Sequence, residues 1–330
     1  METAVVHVEI DPVGSDDTLV VRWQFEGEPV AVDIAIGTSA DHLDHRHEAT
    51  IPPGETSSRV RRIRHGRMFV SVACHEGGPA VVAAERRIPF EAVTNFRDLG
   101  GYRTGSGRRI RWGRVFRSDA LHGMTEGDIA LYDDLGLTAV YDLRGEVEVA
   151  EQPDPMPSRH LPMLSRPAGD SFAGSFDGAT GEDGERLLAG LYIGQIDHSA
   201  TTIGELFSAL TEPGGLPAVF HCHAGKDRTG LVAALLLEAL GVERDAILDD
   251  YELTARYRLR AQQDQTFERM IKLGLAPEAA AGVLTAPRWA MRSALEHLDR
   301  EYGNIERYLT GPAAMELSDL KRLSAELLAA

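Results

Sequence analysis

Leu216-Pro217-Ala218-Val219-Phe220 leads into His221-Cys222-His223-Ala224-Gly225-Lys226-Asp227-Arg228-Thr229-Gly230, and a strongly apolar segment, 231–240, leads out. A short apolar run, a glycine-bearing loop and a helix-length apolar segment predict strand, tight loop and helix. That geometry aims several backbone N–H groups and the positive end of a helix at one point, where a phosphate or sulfate binds. Cys222 lies at the base of the loop and Arg228 six positions on. A free cysteine has a pKa of about 8.5, so little of it is nucleophilic thiolate at neutral pH. A helix N-terminus and nearby cations, here Lys226 and Arg228, favour the thiolate. The Arg228 fork can grip two oxygens of one phosphoryl group at once, which a lysine cannot do. Gly225 and Gly230 let the loop turn and let its backbone approach an anion. Thr229 puts a hydroxyl within reach of the Cys222 sulfur, where it would ease departure from a thiophosphate. A nucleotide-binding loop is excluded: Asp227 stands where Ser or Thr would hold magnesium, and Phe220 where the first glycine would be.

Four further stretches accompany the loop: Asn95-Phe96-Arg97-Asp98-Leu99-Gly100-Gly101-Tyr102, Arg114-Val115-Phe116-Arg117-Ser118-Asp119, Ala139-Val140-Tyr141-Asp142-Leu143-Arg144 and Asp250-Tyr251-Glu252-Leu253-Thr254. With the loop they resemble the bacterial atypical tyrosine and lipid phosphatases, which are cysteine-dependent, over about residues 90–330. The resemblance implies an α/β phosphatase fold, a central mostly parallel sheet flanked by helices. It implies Cys222 as nucleophile and Arg228 as phosphate ligand. His223, Ala224, Gly225, Lys226 and Thr229 form the candidate substrate-binding set. In the resembling lipid phosphatases a loop lysine contacts further inositol phosphates, so Lys226 widens the substrate class from phosphoproteins to phosphoinositides. Neither a metal nor an organic cofactor is expected. His221 either orients the Cys222 backbone or is a plain buried strand residue.

Two residues compete to protonate the leaving oxygen. Asp142 ends an apolar strand that should reach the same rim as the loop, although it could equally pair with Arg144 or Arg117. Asp227 lies inside the loop, although it could instead tie down Lys226 or Arg228. Two other functions stay open: a catalytically silent adaptor that binds phospho-ligands, and a rhodanese-like sulfurtransferase with a loop cysteine. Thr229-Gly230 and the arginine at the sixth position favour the phosphatase.

A length of 330 residues suits two domains. A net charge of −17 argues against unassisted binding to nucleic acid or anionic membrane. No opening basic-plus-apolar run marks a secretory signal, and no apolar stretch approaches the about 18 residues of a membrane span. A cytoplasmic location is the default expectation, with signal-free export left open. The two cysteines, Cys74 and Cys222, are expected to stay unpaired. Composition leaves the oligomeric state undetermined.

Residues 1–90 contain short β-rich runs punctuated by Gly27, Gly37, Pro53-Gly54 and Gly77-Gly78, which predicts a small β-sandwich. Trp23 in an early strand resembles the buried tryptophan of fibronectin-type-III-like domains. Residues 91–330 form the second domain, with strands at 114–118, 139–143 and 218–221. Helices are predicted over 182–196, 200–211, 230–240, 243–257, 260–273, 286–301 and 313–328, and Thr125 to Asp128 resembles a capping box. The Gly-, Ser- and Asp-rich stretch 165–184 is either a disordered insertion or, as the resemblance implies, part of a lid around 165–196. Asp41, His42, Asp44, His45 and His47 match no closed metal site and read as a solvated loop. The basic run 59–64 reads as an exposed strand face.

Overall fold

A computed structural model of the chain describes residues 3–12, 18–40, 43, 45–46, 50–62, 67–164, 180–257, 267–268, 270–272 and 274–329. They fall into two compact units, Met1–Ile88 and Pro89–Ala330. Asp41, His42, Asp44, His47, the stretch 165–179 and most of the helix predicted over 260–273 lie outside the described residues.

The first unit holds two antiparallel sheets. One has the order β1 (Ala4–Pro12), β2 (Thr18–Glu26), β5 (Ser57–Arg61). The other runs β4 (His45–Arg46), β3 (Val32–Gly37), β6 (Phe69–Cys74), β7 (Val81–Ala84). Alternation sets the inward faces: Leu19, Val21 and Trp23 are buried while Arg22 and Gln24 are exposed. On β5, Val60 is buried between exposed Arg59 and Arg61.

The second unit is built on a five-stranded sheet of order β11 (Arg159–His160), β10 (Ala139–Asp142), β12 (Ala218–His221), β9 (Val115–Ser118), β8 (Arg97–Asp98). The first four are parallel, and β8 closes one edge antiparallel. Every residue of β9 and β12 is buried, as expected of strands covered on both faces. The helices are α1 (Glu126–Asp134), α2 (Glu146–Glu151), α3 (Gly181–His198), α4 (Ala200–Ala209), α5 (Arg228–Ala239), α6 (Arg244–Tyr257), α7 (Pro277–Leu284), α8 (Arg288–Tyr302), α9 (Ile305–Thr310) and α10 (Leu317–Leu327). The capping box at Thr125 is complete: its hydroxyl accepts the Asp128 N–H, and Asp128 accepts the Thr125 N–H.

Helix α3 packs against α7 through small residues. A Cβ on Gly184 would lie 2.1 Å from the Ala279 carbonyl oxygen, and one on Gly282 2.1 Å from that of Gly181. The helix predicted over 313–328 begins only at Leu317, because Ala314 takes a left-handed φ of 55° that no helix continues through. No helix among the described residues is long and apolar enough to cross a membrane.

Candidate active site

The loop leaves the carboxyl end of β12, the central strand. Register places His221 level with Asp142 on β10 and Ser118 on β9. The loop rides on the end of β9. Gly225 has a φ of 64°, and a Cβ there would stand 2.6 Å from both the Asp119 nitrogen and the Ser118 oxygen. Only glycine meets both constraints.

Two buried side chains pin the loop's carbonyls. Asn95 Nδ2 donates to the Ala224 and Gly225 oxygens at 3.2 and 3.1 Å, and Arg117 Nη2 donates to the Gly225 oxygen at 2.7 Å. A trans peptide points its N–H opposite its C=O. Holding the carbonyls on the outside therefore turns the amides of Gly225 and Lys226 inward. Asn95 is fixed in turn by Asp119, which accepts the Thr94 and Asn95 N–H groups. Arg117 is fixed by Asp250, which also holds Arg97. The opening and closing motifs thus act as one buried brace behind the loop.

Cys222 is buried, as is Arg228 at the start of α5. Arg228 Nη1 and Nη2 donate to the two Glu148 oxygens at 2.6 and 2.8 Å, and Nη1 also reaches the Leu143 carbonyl at 3.3 Å. Burial alone would lower the Arg228 pKa, but Glu148, Cys222 and Asp227 together raise it, so the guanidinium stays charged. Burial likewise opposes ionisation of Glu148. The Arg228 hydrogen bonds and charge win, with help from the Gly145 N–H and His223, and bring its carboxyl down to about 2. The Thr229 hydroxyl is buried and makes no hydrogen bond among the described residues.

The two acid candidates differ in surroundings. The Asp142 carboxylate is buried and accepts from the Arg144 backbone N–H, Nε and Nη2. Burial would raise its pKa, but Arg144 and His221 hold it below the usual carboxylate range. It is an anchored anion, the pairing with Arg144 anticipated as its competing role. The Asp227 side chain is 27 % exposed and meets Tyr192 Oη at 2.8 Å and Lys226 Nζ at 3.4 Å.

Lys226 is itself buried, and its ammonium donates to the Val283 and Thr285 carbonyls rather than opening toward a ligand. His221 Nδ1 lies 3.4 Å from the Cys222 carbonyl oxygen and Nε2 3.0 Å from Asp154. His223 contributes its carbonyl, which accepts the Ala120 N–H. Asp142, Asp154 and His221 offer ligand atoms within 4.8 Å of one another, but the Arg144 guanidinium sits among them, 2.7 Å from Asp142 and 2.9 Å from Asp154. One guanidinium already pairs with both carboxylates of that cluster. Glu148, Asp154 and Tyr192 were not singled out from sequence. The chain carries 51 Asp and Glu, and nothing local sets those carboxylates apart.

The sequence pattern of the tyrosine phosphatase family matches residues 88–329. A tyrosine-protein phosphatase of Cupriavidus necator is 31 % identical over 253 residues, covering 74 % of this chain and 90 % of the relative. The triple specificity protein phosphatase PtpB of Mycobacterium tuberculosis is also 31 % identical, over 281 residues, covering 74 % of this chain and 99 % of its own. Among solved structures, the core catalytic domain of the PP-IP phosphatase SIW14 from S. cerevisiae is 15 % identical with a TM-score of 0.29, covering 55 % of this chain and 87 % of its own, too distant to bear on the fold. By the match to nearly all of its second unit and by these relatives, the chain belongs to the tyrosine phosphatase family.

Proposed function

We propose that the chain hydrolyses phosphate monoesters through a cysteinyl-phosphate intermediate. The observation that carries this reading is the inward-facing loop: Asn95 and Arg117 hold its carbonyls outside while Glu148 sets the Arg228 fork beside Cys222. The substrate's phosphoryl oxygens lie against the loop amides and Arg228. The Cys222 thiolate attacks phosphorus, an S–P bond forms, and the ester P–O bond breaks. Asp227 gives its proton to the departing oxygen. A water then attacks phosphorus and passes a proton to the Asp227 carboxylate, releasing inorganic phosphate and the thiolate. We assign the proton to Asp227 because Asp142 is engaged by Arg144.

Phosphotyrosine is the first substrate class. Phosphoserine and phosphothreonine follow by likeness to the triple specificity relative. Phosphoinositides require Lys226 to leave the Val283 and Thr285 carbonyls. The test is hydrolysis of 4-nitrophenyl phosphate by the native chain and by Cys222→Ser, with and without EDTA. Turnover insensitive to EDTA and abolished in Cys222→Ser, with phosphate-analogue binding retained, is the expected result. Turnover by Cys222→Ser would end the mechanism, and a native chain that binds without turnover would be the adaptor.

A further inference from the structure

Asp227 is the N-cap residue of α5, yet it caps nothing. Aspartate is favoured at that position because its carboxylate accepts an N–H of the first turn. Here no such bond forms. The carboxylate is drawn to α3, where the Tyr192 hydroxyl donates to Oδ1 at 2.8 Å. Tyr192 is completely buried, and its hydroxyl lies 2.6 Å from that of Tyr251 on α6. The rings meet edge to face, and the Tyr251 ring also faces Gly230 across a gap that a Cβ would narrow to 3.2 Å.

The direction of this chain follows from counting hydrogens. Each phenol has one hydrogen to give. Tyr192 gives its own to Asp227, so the hydrogen between the two phenols belongs to Tyr251. The order is Tyr251 to Tyr192 to Asp227. A buried hydroxyl left without a partner is costly, which holds the chain in this sense. Both described partners of the carboxylate, Tyr192 and Lys226, face Oδ1. A proton carried by Asp227 therefore resides on Oδ2.

We propose that Tyr192, backed by Tyr251, is the positioning residue that commits Asp227 Oδ1 as an acceptor and so presents the transferable proton on Oδ2. This rests on the assignment of Asp227 as proton donor. Burial, reinforced by the Asp227 charge, raises both phenol pKa values, so both remain donors at neutral pH. The charged and titratable groups around this chain are Lys226 and Cys222 of the loop, Arg228 of α5, Tyr192 and Glu185 of α3, Tyr251 of α6 and Arg117 of β9.

The experiment compares pH profiles of kcat/KM for the native chain, Tyr192→Phe, Tyr251→Phe and Asp227→Asn. The substrates are 4-nitrophenyl phosphate, with a good leaving group, and phenyl phosphate, with a poor one. Removing the donated hydrogen bond destabilises the carboxylate. In Tyr192→Phe the basic limb should move up by about one pH unit. Turnover of phenyl phosphate should fall roughly tenfold, and that of 4-nitrophenyl phosphate less. Tyr251→Phe leaves Tyr192 in place and should shift the limb the same way by a smaller step. A basic limb unmoved in both tyrosine variants while Asp227→Asn abolishes it would overturn the positioning role alone. A limb and leaving-group dependence unchanged in Asp227→Asn would overturn the acid assignment beneath it.

Discussion

Glu148 joins two tasks in one carboxylate. It accepts the Gly145 N–H at the start of α2, and it holds the end-on edge of the Arg228 fork. A guanidinium has a second edge, Nε with the outer hydrogen of one Nη, and that edge suits two phosphoryl oxygens. The pairing thus locks Arg228 without using the edge that the proposed mechanism gives to the phosphoryl group. Glu148→Gln keeps the shape and loses the charge. Its kcat/KM should fall roughly ten- to a hundredfold, as small misplacements of a phosphate ligand do. Stability should follow pH in a set direction. The Glu148 carboxyl is near 2 in the folded chain against an ordinary 4.5. Its contribution is full above about pH 4.5 and is lost as pH falls toward about 2. Urea midpoints of native and Glu148→Gln chains should therefore converge between neutral pH and pH ~3. A constant gap would refute the clamp as an ionic one.

At the scale of elements, α7 ends on Lys226. The last carbonyls of a helix have no partner within it, and a cation there is favourable. Lys226 supplies both from the loop. Lys226→Met removes them without opening a void, and should lower stability by about 1 kcal/mol in a denaturant titration. An unchanged midpoint would show the contact to be idle. Strands β10 and β12 and the body of helix α5 were legible as apolar runs, the mark of buried elements, whereas β9, Val115-Phe116-Arg117-Ser118, is half polar and was marked by the motif around it. Helix α2 buries no residue, so no apolar period announces it. Helix α7 is eight residues, half of them Ala and Gly, a composition that hides a helix whose small side chains serve close backbone approach to α3.

Over the whole molecule, what sequence revealed of the site was what is contiguous. Cys222 and Arg228 lie six positions apart in one stretch, so their spacing alone suggests the chemistry proposed for them. Their partners converge only through the parallel crossovers: Asn95 is 130 residues from Gly225, Glu148 80 from Arg228, and Tyr192 35 from Asp227. No local pattern marks such pairings. All of them nevertheless lie within Pro89–Ala330. The first unit supplies its own buried set, Leu19, Val21, Trp23, Val32, Ile34, Val70 and Val72 among it. We propose that Met1–Ile88 is a fibronectin-type-III-like β-sandwich domain that folds apart from the chemistry. A chain of residues 89–330 alone should then unfold cooperatively and hydrolyse 4-nitrophenyl phosphate with a kcat/KM within about twofold of the full chain, since domains with separate cores fold separately. A tenfold loss in a fragment that still melts as one unit would mean that the β-domain contributes to the catalytic geometry, and would overturn the division of labour.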